Sequence, residues 1–321
     1  MSFFLLTSIL LSMRLIFMGT PDAAVPTLRR CLEDGHEVAA VWTQPDRPAG
    51  RGNRLHQPPV KEFALENGLR VHQPAKIRTE EALAEFSSYE ADAAVVVAYG
   101  RILPATFLKA PRRGCINVHF SLLPFYRGAA PVNWAIVRGE TLTGATTMQM
   151  DEGLDTGAIL LQREEKIFET ETAPELMTRL SEVGAELLSE TLHRLNVLEP
   201  RAQDEEKATF APMLKREDGL IDWALDAAQI ERRVRGFQPW PNAFTSLHSR
   251  RLVIWRAQAL NDYEGSAACG EIVEAGGGEL RVACGDRTTL RLLEVQPEGK
   301  RRMAVRDFLN GAHTSAGERL G

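Results

Sequence analysis

The segment from Ala91 to Ala98, ADAAVVVA, is nearly continuous in apolar residues. A short run without polar alternation fits a strand covered on both faces, as in the middle of a parallel sheet. Strand and helix signals alternate around it up to about Asn196, which predicts an α/β domain with a mostly parallel sheet. Arg14 to Met18 predicts a first strand closed by Gly19, with a helix from near Asp22 to Gly35 and a second strand over Glu37 to Trp42. After a long polar loop come a helix from Pro59 to Asn67 and strands over Cys115–His119, Ala145–Met150 and Ile159–Ile167. The best-marked helix runs from Ala173 to Leu195. Leu176, Leu180, Val183, Leu187, Leu192 and Leu195 recur along it at helical spacing, and Thr172 with Glu175 has the spacing of a capping box.

A chain of 321 residues suggests two domains. The expected limits are 13–197 for the first domain, 198–219 for a polar, charge-rich linker and 220–321 for the second. Past Gly219 a helix from Asp226 to Arg235 precedes short strand candidates at 243–247, 251–256, 270–273, 279–284 and 289–294. Such a run, punctuated by glycine, predicts a small β-barrel of the OB-like kind.

Hydrophobic content of 44% and charged content of 25% fit a soluble globular chain. The four cysteines, Cys31, Cys115, Cys269 and Cys284, form no C-x-x-C pair and no zinc-ligand spacing, so free thiols in a reducing cytosol and no metal are expected. Net charge is −5, yet from Phe210 onward 16 basic residues face 15 acidic ones. That balance permits a polyanionic partner for the C-terminal third without requiring one. The opening MSFFLLTSILLS lacks a preceding Lys or Arg and a small-residue cleavage site, and it is too short to span a bilayer. Met13 as the start, or a dispensable tail before it, is expected, with a cytoplasmic location either way.

The chemistry centres on CINVHFSLLP. Asn117 and His119, two apart on a strand, project from one face at its carboxyl end, where open α/β sheets place ligands. An amide offers a donor to a developing oxyanion and an imidazole handles a proton; a buried, satisfied histidine is the bland alternative for so short a motif. Downstream, DEGLDTG holds Asp155 between Gly153 and Gly157, whose freedom to turn would let the carboxylate point inward and fix the tautomer of His119. A plain acidic turn is the alternative. GTPD follows the first strand where a dinucleotide fingerprint would stand, and no G-x-x-x-x-G-K-[ST] occurs, which argues against NAD or a nucleoside triphosphate. The loop from Thr43 to Pro59 carries Arg47, Arg51 and Arg54, with glycine on both sides of Arg51; it suits a phosphate backbone or is a solvated excursion. Trp134 and Trp223 are expected in cores, and Trp240, between Pro239 and Pro241, in a rigid turn plugging the small domain.

RLIFMGTPD, TQPDRPAGRG, NVHFSLLPFYRGAAPVNWAI, TGATTMQMDEGLDTGAIL, IDW, GFQPWPNAFT and VRDFLNG, in this order, resemble the methionyl-tRNA formyltransferases, a branch of the folate-dependent formyltransferases. The resemblance spans nearly the whole chain from Met13. It implies a Rossmann-like formyltransferase domain followed by an OB-like tRNA-binding domain. It also implies transfer of the formyl group of 10-formyltetrahydrofolate to the α-amino group of initiator methionyl-tRNA, for translation initiation, by a monomer. The family's catalytic Asn, His and Asp fall on Asn117, His119 and Asp155, its folate-contacting SLLP on Ser121, Leu122, Leu123 and Pro124, and its tRNA-contacting basic loop on Arg47, Arg51 and Arg54. Phe125 stands where relatives often carry a basic residue, and GTPDAAVP lacks the aromatic that commonly follows the Asp. An amino sugar nucleotide or glycinamide ribonucleotide as acceptor, hydrolysis of the formyl group, and a non-catalytic RNA-binding role are the rival readings.

Overall fold

The computed structural model describes residues 12–49, 54–261, 263–312 and 314–321. The apolar stretch before Ser12 and the residue Arg51 lie outside them. Contacts divide the chain into two compact units. The first contains the residues up to Arg127, Gly144–Glu165 and Met177–Phe210; the second contains Gly128–Thr143, Lys166–Leu176 and Ala211–Gly321. The second unit thus takes in two segments that precede the predicted linker in sequence.

The first unit begins with β1 (Arg14–Gly19), α1 (Val25–Glu33) and β2 (Glu37–Trp42). A small hairpin follows, β3 (Arg47–Ala49) against β4 (Arg54–His56), in the segment expected to be loop. Next come α2 (Pro59–Glu66), β5 (Val71–His72), α3 (Glu80–Ser87), β6 (Ala93–Val97), α4 (Ala105–Lys109) and β7 (Cys115–His119). Past β8 (Arg127–Gly128) and α5 (Pro131–Arg138), the latter in the second unit, the chain continues as β9 (Leu142–Gln149), β10 (Ile159–Lys166) and α6 (Ala173–Arg194). The main sheet has seven strands in the order β10-β9-β7-β6-β1-β2-β5. Pairs β2–β5, β1–β2, β1–β6 and β6–β7 are parallel, and β7–β9 is antiparallel.

Every residue of β6 and of β7 is buried, so the unbroken apolar run does mark a strand covered on both faces. On one face Trp42 is fully buried, with Phe86 of α3 and Phe107 of α4 edge-on to it at 5.3 and 6.0 Å. On the other, α6 comes close to β7 because residue 184 is glycine. A Cβ there would stand 2.8 Å from Val118 Cγ1 and 3.2 Å from Phe120 Cε1. Val118 and Phe120 are therefore the α6-facing residues of the β7 segment, and Asn117 and His119 alternate to the opposite face.

The second unit adds β11 (Phe210–Ala211), α7 (Ala227–Gly236), β12 (Ala243–Leu247), β13 (Arg250–Leu260), β14 (Ile272–Gly276) and β15 (Glu279–Ala283). It ends with β16 (Thr289–Pro297), β17 (Met303–Ala304) and α8 (Val305–Gly311). Its sheet is antiparallel, in the order β12-β13-β16-β15-β14 with β17 on β16. Among the described residues no pair of β12 with β14 closes it, so the expected barrel is observed as an open antiparallel sheet. Ala243, Thr245 and Leu247 are buried while Phe244 and Ser246 are half-buried, the alternation of a sheet with one core face. Ile230 and Val234 of α7 share that core with Trp223, Ile254, Val282 and Phe308. Asp226 and Gln229 form a reciprocal capping box at the start of α7.

Two tryptophan expectations change. Trp134 is half-buried, edge-on to Phe237 at 5.7 Å, and its indole N–H donates to the Pro212 carbonyl over 2.8 Å. Trp240 plugs nothing: it is 52% exposed, and the residues packed inward from that turn are Phe237, Gln238 and Pro241. A Gln238 amide N–H satisfies the Val234 and Trp255 carbonyls, both at 2.9 Å, which fills the inward position and leaves the indole outside.

Gly184→Val forces new volume into the α6–β7 contact. The expected cost is about 1–3 kcal/mol, typical of overpacking. Chemical denaturation of the variant checks it; an unchanged midpoint would contradict the close approach of α6 to β7.

Candidate active site

Asn117 and His119 end β7 and are 8% and 6% exposed, so both reach a site largely shielded from water. The Asn117 amide has no hydrogen-bond partner among the described residues. It is a donor held in place by the strand backbone and free to meet an incoming oxygen. The imidazole of His119 is oriented by its own connection: Nε2–H donates to the Tyr126 carbonyl over 3.0 Å. Nδ1 then faces the Asp155 carboxylate, with Oδ2 at 3.7 Å. That separation exceeds a hydrogen bond. The ring is therefore fixed by the Tyr126 carbonyl, while Asp155 supplies a negative charge on the side where Nδ1 can take up or release a proton.

Asp155 reaches this position through a tight loop. Its own backbone is left-handed, at φ 54°, a conformation that Asp tolerates better than most residues. The flanking glycines serve another purpose than the turning expected of them. A Cβ on Gly157 would lie 1.9 Å from the Gln149 carbonyl oxygen, and one on Gly153 would lie 1.9 Å from Thr156 Oγ1. Close packing requires both. Asp151 stays structural: its carboxylate accepts from the Gly153 N–H at 3.0 Å and the Thr156 hydroxyl at 2.7 Å, an Asx-type turn.

The chain after His119 folds back over the strand end. The Ser121 hydroxyl donates to the Phe125 carbonyl at 2.6 Å, and the Thr146 hydroxyl donates to the Ser121 carbonyl at 2.6 Å. Gln162 Nε2 donates to the Leu123 carbonyl at 2.8 Å, and the Leu123–Pro124 peptide is cis. Ser121 and Leu123 are buried, whereas Leu122 and Pro124 are half-buried. Of this quartet, the side chains open to a ligand are those of Leu122 and Pro124.

Reading the sequence missed the residues that hold the Asp155 loop. Arg127 is 2% exposed. Its Nε and Nη2 donate to Gln203 Oε1 at 3.0 and 2.8 Å, and its two terminal nitrogens form a fork onto the Glu205 carboxylate at 2.8 Å each. The Glu205 carboxylate raises the Arg127 pKa above its ordinary value, and Arg127 holds the Glu205 carboxyl below the usual range. Gln203 in turn donates to the carbonyls of Asp155 and Gly157, 2.7 Å each. The one available signal was Arg127 inside FYRGAAP, an arginine among small and apolar residues.

Arg47 and Arg54 lie on the β3–β4 hairpin, a separate element, and Arg47 is exposed. The Asp46 carboxylate anchors the base of that hairpin, accepting from Gln73 at 2.7 Å and from Lys61 at 2.9 and 2.7 Å. Those two partners hold the Asp46 carboxyl below the usual range. Among the described residues there is no group of three or more His, Cys, Asp or Glu that could hold a metal. No helix among them is long and apolar enough to cross a membrane.

Comparison with known proteins divides the chain into two consecutive segments. Residues 13–192 match the family described as Formyl transferase, and residues 213–313 match Formyl transferase, C-terminal domain. The chain is 50% identical over 309 residues to the methionyl-tRNA formyltransferase of Geobacter metallireducens, covering 96% of this chain and 98% of that one. It is 52% identical over 312 residues to that of Acidobacterium capsulatum, covering 96% and 100%. Among solved structures, an N-formyltransferase from Helicobacter canadensis in complex with folinic acid and dTDP-3-aminofucose aligns with a TM-score of 0.66 at 18% identity, covering 89% and 99%. Methionyl-tRNA formyltransferase from Clostridium thermocellum aligns at 0.53 and 20% identity, covering 77% and 93%. These structural matches speak to the fold.

Gln203→Ala removes both hydrogen bonds onto the Asp155 loop. Each is worth roughly 1 kcal/mol net, and the buried Arg127 loses its two bonds to Gln203 as well, so a loss of at least about 2 kcal/mol is expected, with amide exchange through 153–157 faster by an order of magnitude or more. Unchanged exchange in that loop would show that Gln203 does not restrain it.

Proposed function

The chain belongs to the methionyl-tRNA formyltransferase family, and on that premise we propose how its residues carry the transfer. The enzyme formylates methionyl-tRNA for translation initiation from a folate-derived formyl donor. The donor is 10-formyltetrahydrofolate, the acceptor atom is the methionine α-amino nitrogen on initiator tRNA, and a cytoplasmic monomer carries out the reaction. The observation that supports this reading is the Asn117–His119 pair on one face of β7, with the Asp155 carboxylate 3.7 Å from Nδ1.

The neutral amine attacks the formyl carbon and a C–N bond forms. An α-amino group titrates near 8, so a useful fraction is neutral around pH 7 without a strong base. As the carbonyl oxygen gains negative charge, the unpartnered Asn117 amide donates to it. His119 works through Nδ1, because Nε2 is committed to the Tyr126 carbonyl. It carries the proton lost by the amine toward N10 of the folate as the C–N10 bond breaks, and Asp155 stabilises the ring while it bears that proton. Leu122 and Pro124 give the folate an apolar bed behind the pair. Arg47 and Arg54 meet RNA phosphates from the hairpin, and Arg51, between them in sequence, is read as a third contact.

We read 13–197 as the catalytic domain, 198–219 as the linker and 220–321 as an OB-like tRNA-binding domain. The resemblance to the family supports the barrel, whose strands here form an open sheet. An amino-sugar acceptor would use the same three side chains. Sequence identity of about half to methionyl-tRNA formyltransferases, over both domains, favours the tRNA reading.

His119→Ala and Asp155→Ala should each reduce formyl transfer by a hundredfold or more with folding intact, within the usual size of acid–base and electrostatic contributions. Steady-state rates with initiator methionyl-tRNA, an amino sugar nucleotide and water as acceptors provide the check. Near-normal turnover of either variant would remove its residue from the mechanism, and faster transfer to the sugar nucleotide than to tRNA would overturn the choice of acceptor.

A further inference from the structure

On the second unit, Trp240, Arg216 and Arg251 line one cavity of about 450 Å³, together with Asn242, Gln296 and Glu298. Trp240 is half exposed, and Pro239 and Pro241 restrict the backbone on either side of it. An indole about half in water at a stiffened turn leaves apolar ring surface available to a partner.

The two arginines are short of counter-charge. Neither enters an ion pair among the described residues. The Arg251 guanidinium lies over the Phe244 ring at 4.0 Å, which fixes its plane. Its Nε is buried without a hydrogen-bond partner, and the hydrogen bond that its Nη2 donates to the Pro241 carbonyl is long at 3.4 Å. Burial first and Arg216 second lower its pKa from the ordinary value, with Glu298 acting the other way. An arginine remains charged under such pressure, so the site is held in a state that an added anion relieves.

A neighbouring cavity of about 740 Å³ meets this one at Arg251, Pro297 and Glu298 and extends the same character. Arg250, Lys300 and Arg301 line it, against Asp307. Exposed aromatic surface next to a track of cations is the arrangement that binds unpaired nucleotides: the π-face takes a base and the cations take the backbone. An acidic peptide would satisfy the arginines and leave the indole uncovered.

We propose that this face of the second unit is a binding site for an unstacked nucleotide of RNA, its base on Trp240 and its phosphate between Arg216 and Arg251. The proposal rests on the reading of the substrate as a tRNA and adds where the second unit grips it.

The test is binding of the full-length chain to tRNA, measured by anisotropy over a salt series, for the wild type, Trp240→Ala, Trp240→Phe and Arg216→Ala. Both residues are exposed, so thermal unfolding should be unchanged. Trp240→Ala should weaken binding about tenfold or more, as expected of one lost stacked base, and Trp240→Phe should restore most of it. Arg216→Ala should flatten the plot of log affinity against log salt by roughly one phosphate contact, ~0.7 to 0.9 in slope. If wild type binds with steep salt dependence and the variants match it in affinity and slope, this site is refuted while the tRNA substrate stands. If a polyglutamate competitor displaces tRNA and Trp240→Ala changes nothing, the face is an acidic-protein surface and the proposal fails. If wild type binds no tRNA at any salt, the substrate reading fails and takes the proposal with it.

Discussion

The close approach of α6 to β7 at Gly184 sets the rest of the first unit. Val118 and Phe120 fill the space that a side chain at 184 would occupy. Because strand residues alternate, this decides that Asn117 and His119 emerge together on the far face. The parallel neighbour β6 and the antiparallel neighbour β9 hold β7 on both edges, so the pair rides on a backbone with no freedom to twist out of register. The roles proposed for this amide and imidazole need such a mount, since a displacement of about 1 Å can cost two orders of magnitude in rate.

The third member of the site has no such mount and receives one from side chains. Asp155 sits on a loop in left-handed backbone, and its carbonyl is caught by Gln203, more than forty residues further along. Gln203 is itself oriented by Arg127, whose fork is completed by Glu205. Burying a guanidinium is costly unless its donors are used, and here four contacts engage four of its five N–H groups. The segment expected only to connect two domains therefore also sets the position of the Asp155 carboxylate.

Much of this was legible beforehand because it follows from periodicity. The apolar run at 91–98 and the strand at Cys115–His119 are where the sequence places them, and Glu175 accepts from the Thr172 N–H at 2.9 Å as its spacing implied. α3 and α4 escaped because eight and five residues are too few to show an apolar stripe. The β3–β4 hairpin escaped because its strands are three residues each and rich in proline, arginine and other polar residues. The clamp was invisible for a different reason. Arg127 and Gln203 are 76 positions apart, and no local pattern links an arginine to a distant glutamine. Trp240 was misjudged because a tryptophan between prolines in an apolar turn carries no sign of which way it faces.

The geometry also limits what the three proposed catalytic side chains can decide. With Nε2 of His119 held by a backbone carbonyl, a single imidazole nitrogen would serve the proposed reaction, and it faces the charge of Asp155. In that reading Asn117 would answer to the formyl oxygen, which is the same for every acceptor amine. Discrimination between a tRNA and a small amine must then come from surfaces that recognise the remainder of the acceptor molecule. The second unit has the physical means for that: its sheet buries one face in its own core, which leaves turns and strand ends at its margins to carry exposed arginines and an indole. On the proposed reading, chemistry and selectivity draw on different surfaces, and changes in acceptor preference can arise in the β3–β4 hairpin or in the second unit with Asn117, His119 and Asp155 left intact.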